Sequence, residues 1–364
     1  MTDRSAELKK LRPPGPVAAT CRDCPIFDRC GGIQNARPLM NCFDQFCCGD
    51  GSCDNVCIHH PDFRKQLWEI GGWDVDQLPQ LNQEQLELPN FVPMVHHFNR
   101  RINQLQVDFA AIDPYKLFAL KGGQYIAHAD SPIRVREHFG ISKNAKVILR
   151  GTAVDADLEK YWAYRHVSDA CKLIASLDIS LFIGPNFSTF LDVPRTDALF
   201  NRKRQILCLS ELSEAGVSVA PHLSATMPAD WRFWSSFLSN NPKVTHVALN
   251  CQTGYKRPHQ GRTAIRKIEK IQQTLGRELK LILIGGGQFL DFASSKIKSV
   301  TLIDSNPFIK TMKRRRMDTS SNKRIWNESF SLENQPLDSL LRENVSSYGG
   351  WADRQVSSQE TVMR

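Results

Sequence analysis

The sequence predicts an α/β fold built on parallel strands: a (β/α)8 TIM-like barrel, with an open parallel sheet as the alternative. Three observations carry that expectation. From Phe91 onward, short β-rich runs alternate with longer stretches of helical period, the signature of β–α–β crossovers. Several runs, Leu281-Ile-Leu-Ile284 among them, are apolar without alternation, as strands buried on both faces are. The eight runs occupy roughly 230 residues, the count and length of a (β/α)8 chain.

In order, the strands read as Phe91–Val95, Leu105–Ile112, Lys146–Leu149, Ile179–Ile183, Val217–Ala220, His246–Leu249, Lys280–Ile284 and Ser299–Ile303. Helical period falls on Ala156–Ser176, Arg195–Ala215, Asp230–Ser239, Arg262–Leu275, Phe289–Ser295 and Pro307–Arg315. Right-handed crossovers would join them into one sheet. Asp113–Asn144 reads as a long polar connection and 76–90 as a linker. Residues 317–364, rich in Ser, Asn and Gln, read as a mobile tail. The expected organisation is a flexible N-terminus (1–20), a Cys-rich module (21–75), a barrel-like domain (90–316) and that tail.

Eight of the eleven cysteines crowd into one short segment: Cys21, Cys24, Cys30, Cys42, Cys47, Cys48, Cys53 and Cys57. Thiolates so dense, with so little apolar packing around them, point to a metal, since thiolate–metal bonds can fold a segment too small to build a core. A disulfide framework is the weaker reading. Residues 1–20 carry no apolar run of signal-peptide length, and Cys171, Cys208 and Cys251 sit singly in apolar stretches, as free thiols of a reduced, cytoplasmic protein do. Only Cys21 and Cys24 form a zinc-knuckle pair. The irregular spacing and the adjacent Cys47–Cys48 therefore favour an iron–sulfur cluster, with zinc as the alternative. His59 and His60 lie close to the same segment. Cys53-x3-Cys57-x2-His60 lacks the third thiolate of a radical S-adenosylmethionine cluster and is read as coincidence. The run Cys21-x2-Cys24-x5-Cys30-Gly-Gly resembles the auxiliary iron–sulfur motif of SPASM-type extensions, which implies a cluster rather than a lone ion.

The formal net charge of +9 is unevenly placed. Residues 307–324 hold Lys310, Lys313, Arg314, Arg315, Arg316, Lys323 and Arg324 against Asp318 alone. The Cys-rich stretch 21–62 is net acidic, which argues against a phosphate-gripping finger. A nucleotide or nucleic acid is thus a candidate partner for Lys313, Arg314, Arg315 and Arg316, the alternative being a solvated helix end. No apolar stretch approaches the ~20 residues needed to span a bilayer, so no membrane partner is expected.

Parallel-sheet proteins place their chemistry at the carboxyl ends of the strands. Here those ends are polar: His96 and His97, Asp113, Arg150, Asn186 and Ser188, His222, Asn250 and Gln252, Gly285–Gln288, and Asp304–Asn306. The expected catalytic groups are Asp304, His222 and Asp192, with Asp304 and His222 as a base–acid pair at neighbouring strand ends. Asn186, Ser188, Arg150, Arg195, Asn250, Gly286 and Gly287 are the expected substrate-binding residues. Each has a plainer alternative. His222 could be a structural histidine, Asp304 a helix cap, and the triple glycine a tight turn.

Pro185-Asn-Phe-Ser-Thr-Phe-Leu-Asp192-Val-Pro194, then Asn201-Arg-Lys-Arg204 and Gly216-Val-Ser-Val-Ala-Pro221, resembles the bacterial and phage family catalogued as domain of unknown function 4417. The resemblance spans roughly 145–316 and implies a core domain to which the Cys-rich module has been added. Asn186 stands where that family often has Asp, which removes a base at that position. Strand–Gly-Gly-Gly followed by strand–Asp304-Ser305 resembles the end of the queuine-type transglycosylase barrel, implying carboxylate attack on an anomeric carbon by Asp304 with Asp192 as second acid. The expected function is a hydrolase- or transglycosylase-like barrel enzyme acting on a nucleotide, nucleic acid or other phosphorylated ligand. The alternatives are a redox-responsive sensor with a silent barrel, and a nucleic-acid-docking component of a phage or defence assembly.

Overall fold

The computed structural model describes residues 69–72, 75–97, 101–189, 195–320, 323–329 and 336–360. The eight clustered cysteines and Asp192 lie outside the described residues, as does the side chain of Arg195. The chain divides into a smaller unit of Met1–Gln77, Phe187–Arg204 and Ser224–Ser236 and a larger one of Leu78–Asn186, Gln205–Leu223 and Phe237–Arg364.

The larger unit is α/β with parallel sheets. Its strands, in chain order, are β1 (Phe91–Pro93), β2 (Phe109–Ile112), β3 (Phe118–Lys121), β4 (Gln124–Ala127), β5 (Lys146–Arg150) and β6 (Ile179–Ile183), then β7 (Val219–Ala220), β8 (His246–Asn250), β9 (Lys280–Ile284), β10 (Ser299–Asp304), β11 (Arg315–Met317) and β12 (Trp326–Glu328). Among the described residues the helices are α1 (Pro114–Leu117), α2 (Pro132–His138), α3 (Asp155–Tyr164), α4 (Ala170–Ala175), α5 (Arg195–Glu214), α6 (Pro228–Asn240), α7 (Pro258–Leu275), α8 (Leu290–Ser294), α9 (Asn306–Met312) and α10 (Asp338–Glu360), of which α5 and α6 begin in the smaller unit. One four-stranded sheet runs β2-β5-β6-β7 and another β1-β10-β9-β8, all parallel. Single parallel bridges, Met94 with Ala111 and His222 with Ala248, link β1 to β2 and β7 to β8. Backbone bonds accompany both, Val95 N–H to Ala111 C=O and Leu223 N–H to Ala248 C=O, each at 2.8 Å.

One buried cluster draws on all eight of these strands: Val92, Met94, Ala111, Ile148, Leu181, Ile183, Ala220, Ala248, Ile282, Ile284 and Ile303, with Leu86 beneath. Paired residues share a face, so Val92, Ile303, Ile284 and Asn250 form one row across β1, β10, β9 and β8. The alternation leaves Leu302, Leu283 and Asp304 on the opposite face.

The helices form for ordinary reasons. In α7, Pro258 opens the first turn and Gly276 closes the last in the left-handed region (φ 63°). Its buried residues, Gly261, Ala264, Ile265, Ile268 and Ile271, recur at three- and four-residue spacing. A side chain at position 261 would meet the Phe289 ring, so glycine here lets the helix sit close.

Four expectations are corrected. The connection Asp113–Asn144 is not an open loop, since it contains α1, the antiparallel β3–β4 hairpin and α2. The segment taken as a linker enters the core: Leu81 and Gln83 are buried, and Asn82 C=O accepts Val219 N–H at 3.3 Å. The supposed tail folds into the β11–β12 ribbon and α10. Leu340, Leu341, Asn344, Tyr348, Trp351 and Ala352 are buried on one side of α10, and the Tyr348 ring lies 4.9 Å from that of Phe91. Buried Asn344 donates to Thr311 Oγ1 and Arg315 C=O at 2.8 Å and accepts Met317 N–H at 2.9 Å, fastening α10 to α9 and the ribbon. Helix Ala156–Ser176 is also two helices, with Asp169 at φ 47° between them.

In the smaller unit, Arg202 Nη1 lies 2.8 Å from Asp230 Oδ1 in a buried ion pair, and its guanidinium stacks on Phe233. Asp230 Oδ2 accepts Thr226 and Met227 N–H near the start of α6.

Candidate functional site

Continuing the alternation by two residues beyond the buried cluster leads to an imidazole, carboxyl, guanidinium or amide group on five strands of the larger unit. Met94 leads to His96, Ala111 to Asp113, Ile148 to Arg150, Ala220 to His222 and Ala248 to Asn250. All five stand at carboxyl ends, on the face that the cluster occupies.

Arg150 organises this group. Its Nη2 lies 3.9 Å from Asp113 Oδ2, a long ion pair, and its Nη1 donates to Gln252 Oε1 at 3.2 Å. Its buried Nε has no hydrogen-bond partner among the described residues. Burial pulls the guanidinium below its ordinary pKa, and Asp113 opposes that shift. Asp113 Oδ1 accepts Tyr115 N–H at 2.9 Å and so caps α1. Burial raises the Asp113 carboxyl above its usual range, while Arg150 and the Tyr115 amide hold it back. Burial likewise lowers His96, assisted by Arg150 and Lys116.

His222 is 4 % exposed. Its Nε2 accepts Asn250 N–H at 3.0 Å, so the ring proton of the neutral imidazole sits on Nδ1. That Nδ1 is buried and has no partner among the described residues. Burial pushes the pKa down to about 4, so the ring is neutral near pH 7 and acts as a donor rather than an acid. Asn250 Oδ1 in turn accepts Gln252 N–H at 2.9 Å, which sets the loop carrying Gln252.

The other expected site residues are placed differently. Asp304 is buried on the face opposite the cluster, where Oδ2 accepts Tyr348 O–H at 2.6 Å and Oδ1 accepts Asn306 N–H at 2.9 Å. Arg324 Nη1 donates to the Tyr348 hydroxyl at 3.0 Å and stands 4.0 Å from Asp304. Asp304 therefore braces the turn into α9 from the position before the Ser305 N-cap. It cannot pair with His222 at a neighbouring strand end, because β8 and β9 separate β7 from β10. Asn186 Oδ1 accepts Ala153 N–H at 2.9 Å and ties two loops together. Gly286 and Gly287 are small because Cys251 Sγ and the Arg324 guanidinium occupy the space a side chain would need. Ser188 belongs to the smaller unit, where its carbonyl accepts Asn201 Nδ2 at 2.6 Å. Of the basic run, Arg316 pairs with Glu343 at 3.2 Å.

No protein-family model matches the chain, and no curated protein matches it in sequence. The arrangement itself offers a guanidinium, a neutral imidazole donor and a carboxyl of raised pKa on one face. Those groups suit recognition of an anion with proton transfer beside it.

Proposed function

We propose that the eight parallel strands close into a (β/α)8 barrel and that its mouth binds a small phosphorylated ligand on which the protein acts as an enzyme. Support for closure comes from the two single bridges and from the shared cluster. The observation that carries the binding reading is the weakly engaged guanidinium of Arg150, with a 3.9 Å ion pair, one bond to a neutral amide and a buried Nε without a partner among the described residues. Buried polar groups are rarely left without partners, because each costs about 1–3 kcal/mol, and an anionic ligand at Arg150 would supply the acceptors it lacks. The ligand charge would meet Arg150, and Asp113 and His96, whose titration Arg150 biases, would stand by for proton transfer. His222 and Arg150 keep the roles of site residues in this reading, while Asp304 becomes a support for β10.

Calorimetric titration with AMP tests it. Arg150→Gln should weaken binding by about tenfold or more, the worth of a charge-assisted hydrogen bond. Equal affinity in the variant would refute the reading.

The N-terminal cysteines extend the proposal: Cys21, Cys24, Cys30, Cys42, Cys47, Cys48, Cys53 and Cys57 supply ligands for an iron–sulfur cluster, with zinc as the alternative. Protein purified without oxygen should contain iron and acid-labile sulfide. Zinc without sulfide would make the module a structural clip, and neither metal would remove it from the proposal.

A further inference from the structure

We propose that Asp113 is the proton-exchanging residue of this mouth, and that an anion which engages Arg150 makes Asp113 take up a proton. This rests on the anion-binding reading above and adds a stated partner for the charge.

The geometry divides Arg150 between two weak engagements. The carboxylate of Asp113 is 3.9 Å from Nη2, too far for a hydrogen bond, and Gln252 receives Nη1 at 3.2 Å. The guanidinium is nearly buried (side chain 11 % exposed) and retains an unpartnered Nε. A dianion offers closer and stronger acceptors than either present neighbour, so it takes the guanidinium's donors. Asp113 then loses the main charge that favours its ionised form.

The groups around Asp113 do not replace that charge. From α1, Lys116 favours the carboxylate and Tyr115 N–H bonds to Oδ1; from α3, Asp157 disfavours it. His96, from the end of β1, is itself held toward neutrality by burial and by Arg150 and Lys116. With the bound anion adding negative charge nearby, burial dominates and the carboxyl protonates. The bond formed is O–H on Asp113, with the proton drawn from solvent. The protonated carboxyl then stands beside the ligand as a donor, ready to return the proton to a leaving oxygen.

Sulfate is the probe, since it mimics a phosphate dianion without titrating across about pH 5 to 8. Calorimetry in two buffers of different ionisation enthalpy reads the protons taken up per sulfate bound. Wild-type protein should take up a proton fraction that grows toward the acid side, to as much as about one per sulfate. Asp113→Asn keeps the α1 cap, because asparagine caps as well as aspartate. That variant should bind sulfate at least about threefold more tightly, with uptake cut to the part that His96 gains as the anion offsets Arg150. His96→Asn should keep the Asp113 share of the uptake and lose only the part that His96 gains as the anion offsets Arg150. Sulfate binding without uptake in wild-type protein, or unchanged uptake in Asp113→Asn, overturns the assignment and leaves anion binding standing. Failure of sulfate to bind at all overturns both. Should Asp113→Asn not fold, infrared difference spectra of the wild-type protein decide: a carboxylic-acid carbonyl band must gain intensity on adding sulfate.

Discussion

Replacing Gln83 by alanine is expected to destabilise the larger unit by about 3–5 kcal/mol, measured as a lower urea midpoint with an unchanged slope. The reason lies in how much one side chain does. Gln83 Oε1 accepts Thr245 N–H at 2.7 Å, His246 N–H at 2.8 Å and the Thr245 hydroxyl at 2.8 Å, while its Nε2 donates to Val219 C=O at 2.7 Å. It is 6 % exposed, so water does not reach these groups readily. Truncation leaves two backbone amides and a carbonyl buried without partners at the amino ends of β7 and β8. Each costs about 1–3 kcal/mol, and a typical domain has only about 5–15 kcal/mol in reserve. A loss under about 1 kcal/mol would mean that water takes over the role of the amide.

Acidification should be at least as damaging. His222 and His246 are both buried, and burial lowers each to about 4, with Lys280 adding to the effect at His246. In the unfolded chain both titrate near about 6.5. Between those values the unfolded state binds protons that the native state refuses, so stability falls as the pH drops from about 6.5 to about 4. The loss is complete below the folded values and absent above the unfolded one. Each ring contributes up to about 3 kcal/mol over that window, from the size of the shift. Unfolding free energy measured against pH should therefore fall steeply there. His222→Gln places an amide oxygen where Nε2 accepts Asn250 N–H and cannot titrate, so its pH dependence should be close to half as steep. A flat profile in the wild-type protein would show that the rings accept protons in place.

The parallel strands were legible because a strand buried on both faces has to be apolar throughout, as Lys280–Ile284 and His246–Asn250 nearly are. The helix α10 was missed because its polar composition drew attention away from spacing. Leu340, Leu341, Asn344, Tyr348 and Trp351 do fall on a helical stripe, but Gly349 and Gly350 and a run of Ser disguise it. The buried role of Gln83 left no sequence signal, since one glutamine looks like any other.

The candidate site was half legible. Polarity at the strand ends pointed to the face on which His222, Arg150 and Asn250 stand. Asp113, Gln252 and His96 were visible as polar ends but were not ranked above Asp304. Facing would have separated them: Asp113 follows Ala111 by two residues and shares its face, whereas Asp304 follows Ile303 by one and does not. Asp192 and the eight clustered cysteines fall outside the described residues, so their roles rest on their pattern alone.

The pairing of β1 with β10 has a consequence for how the protein is made. Phe91–Pro93 leaves the ribosome well before Leu302–Asp304, its hydrogen-bonding partner, exists. Until then the early strand presents an open edge of unmet N–H and C=O groups, the kind of template on which nascent chains join one another. Synthesis therefore carries a waiting period whose length is set by translation speed. Slow codons between the two strands should lower the soluble yield, and a holdase chaperone bound to the nascent chain should restore it.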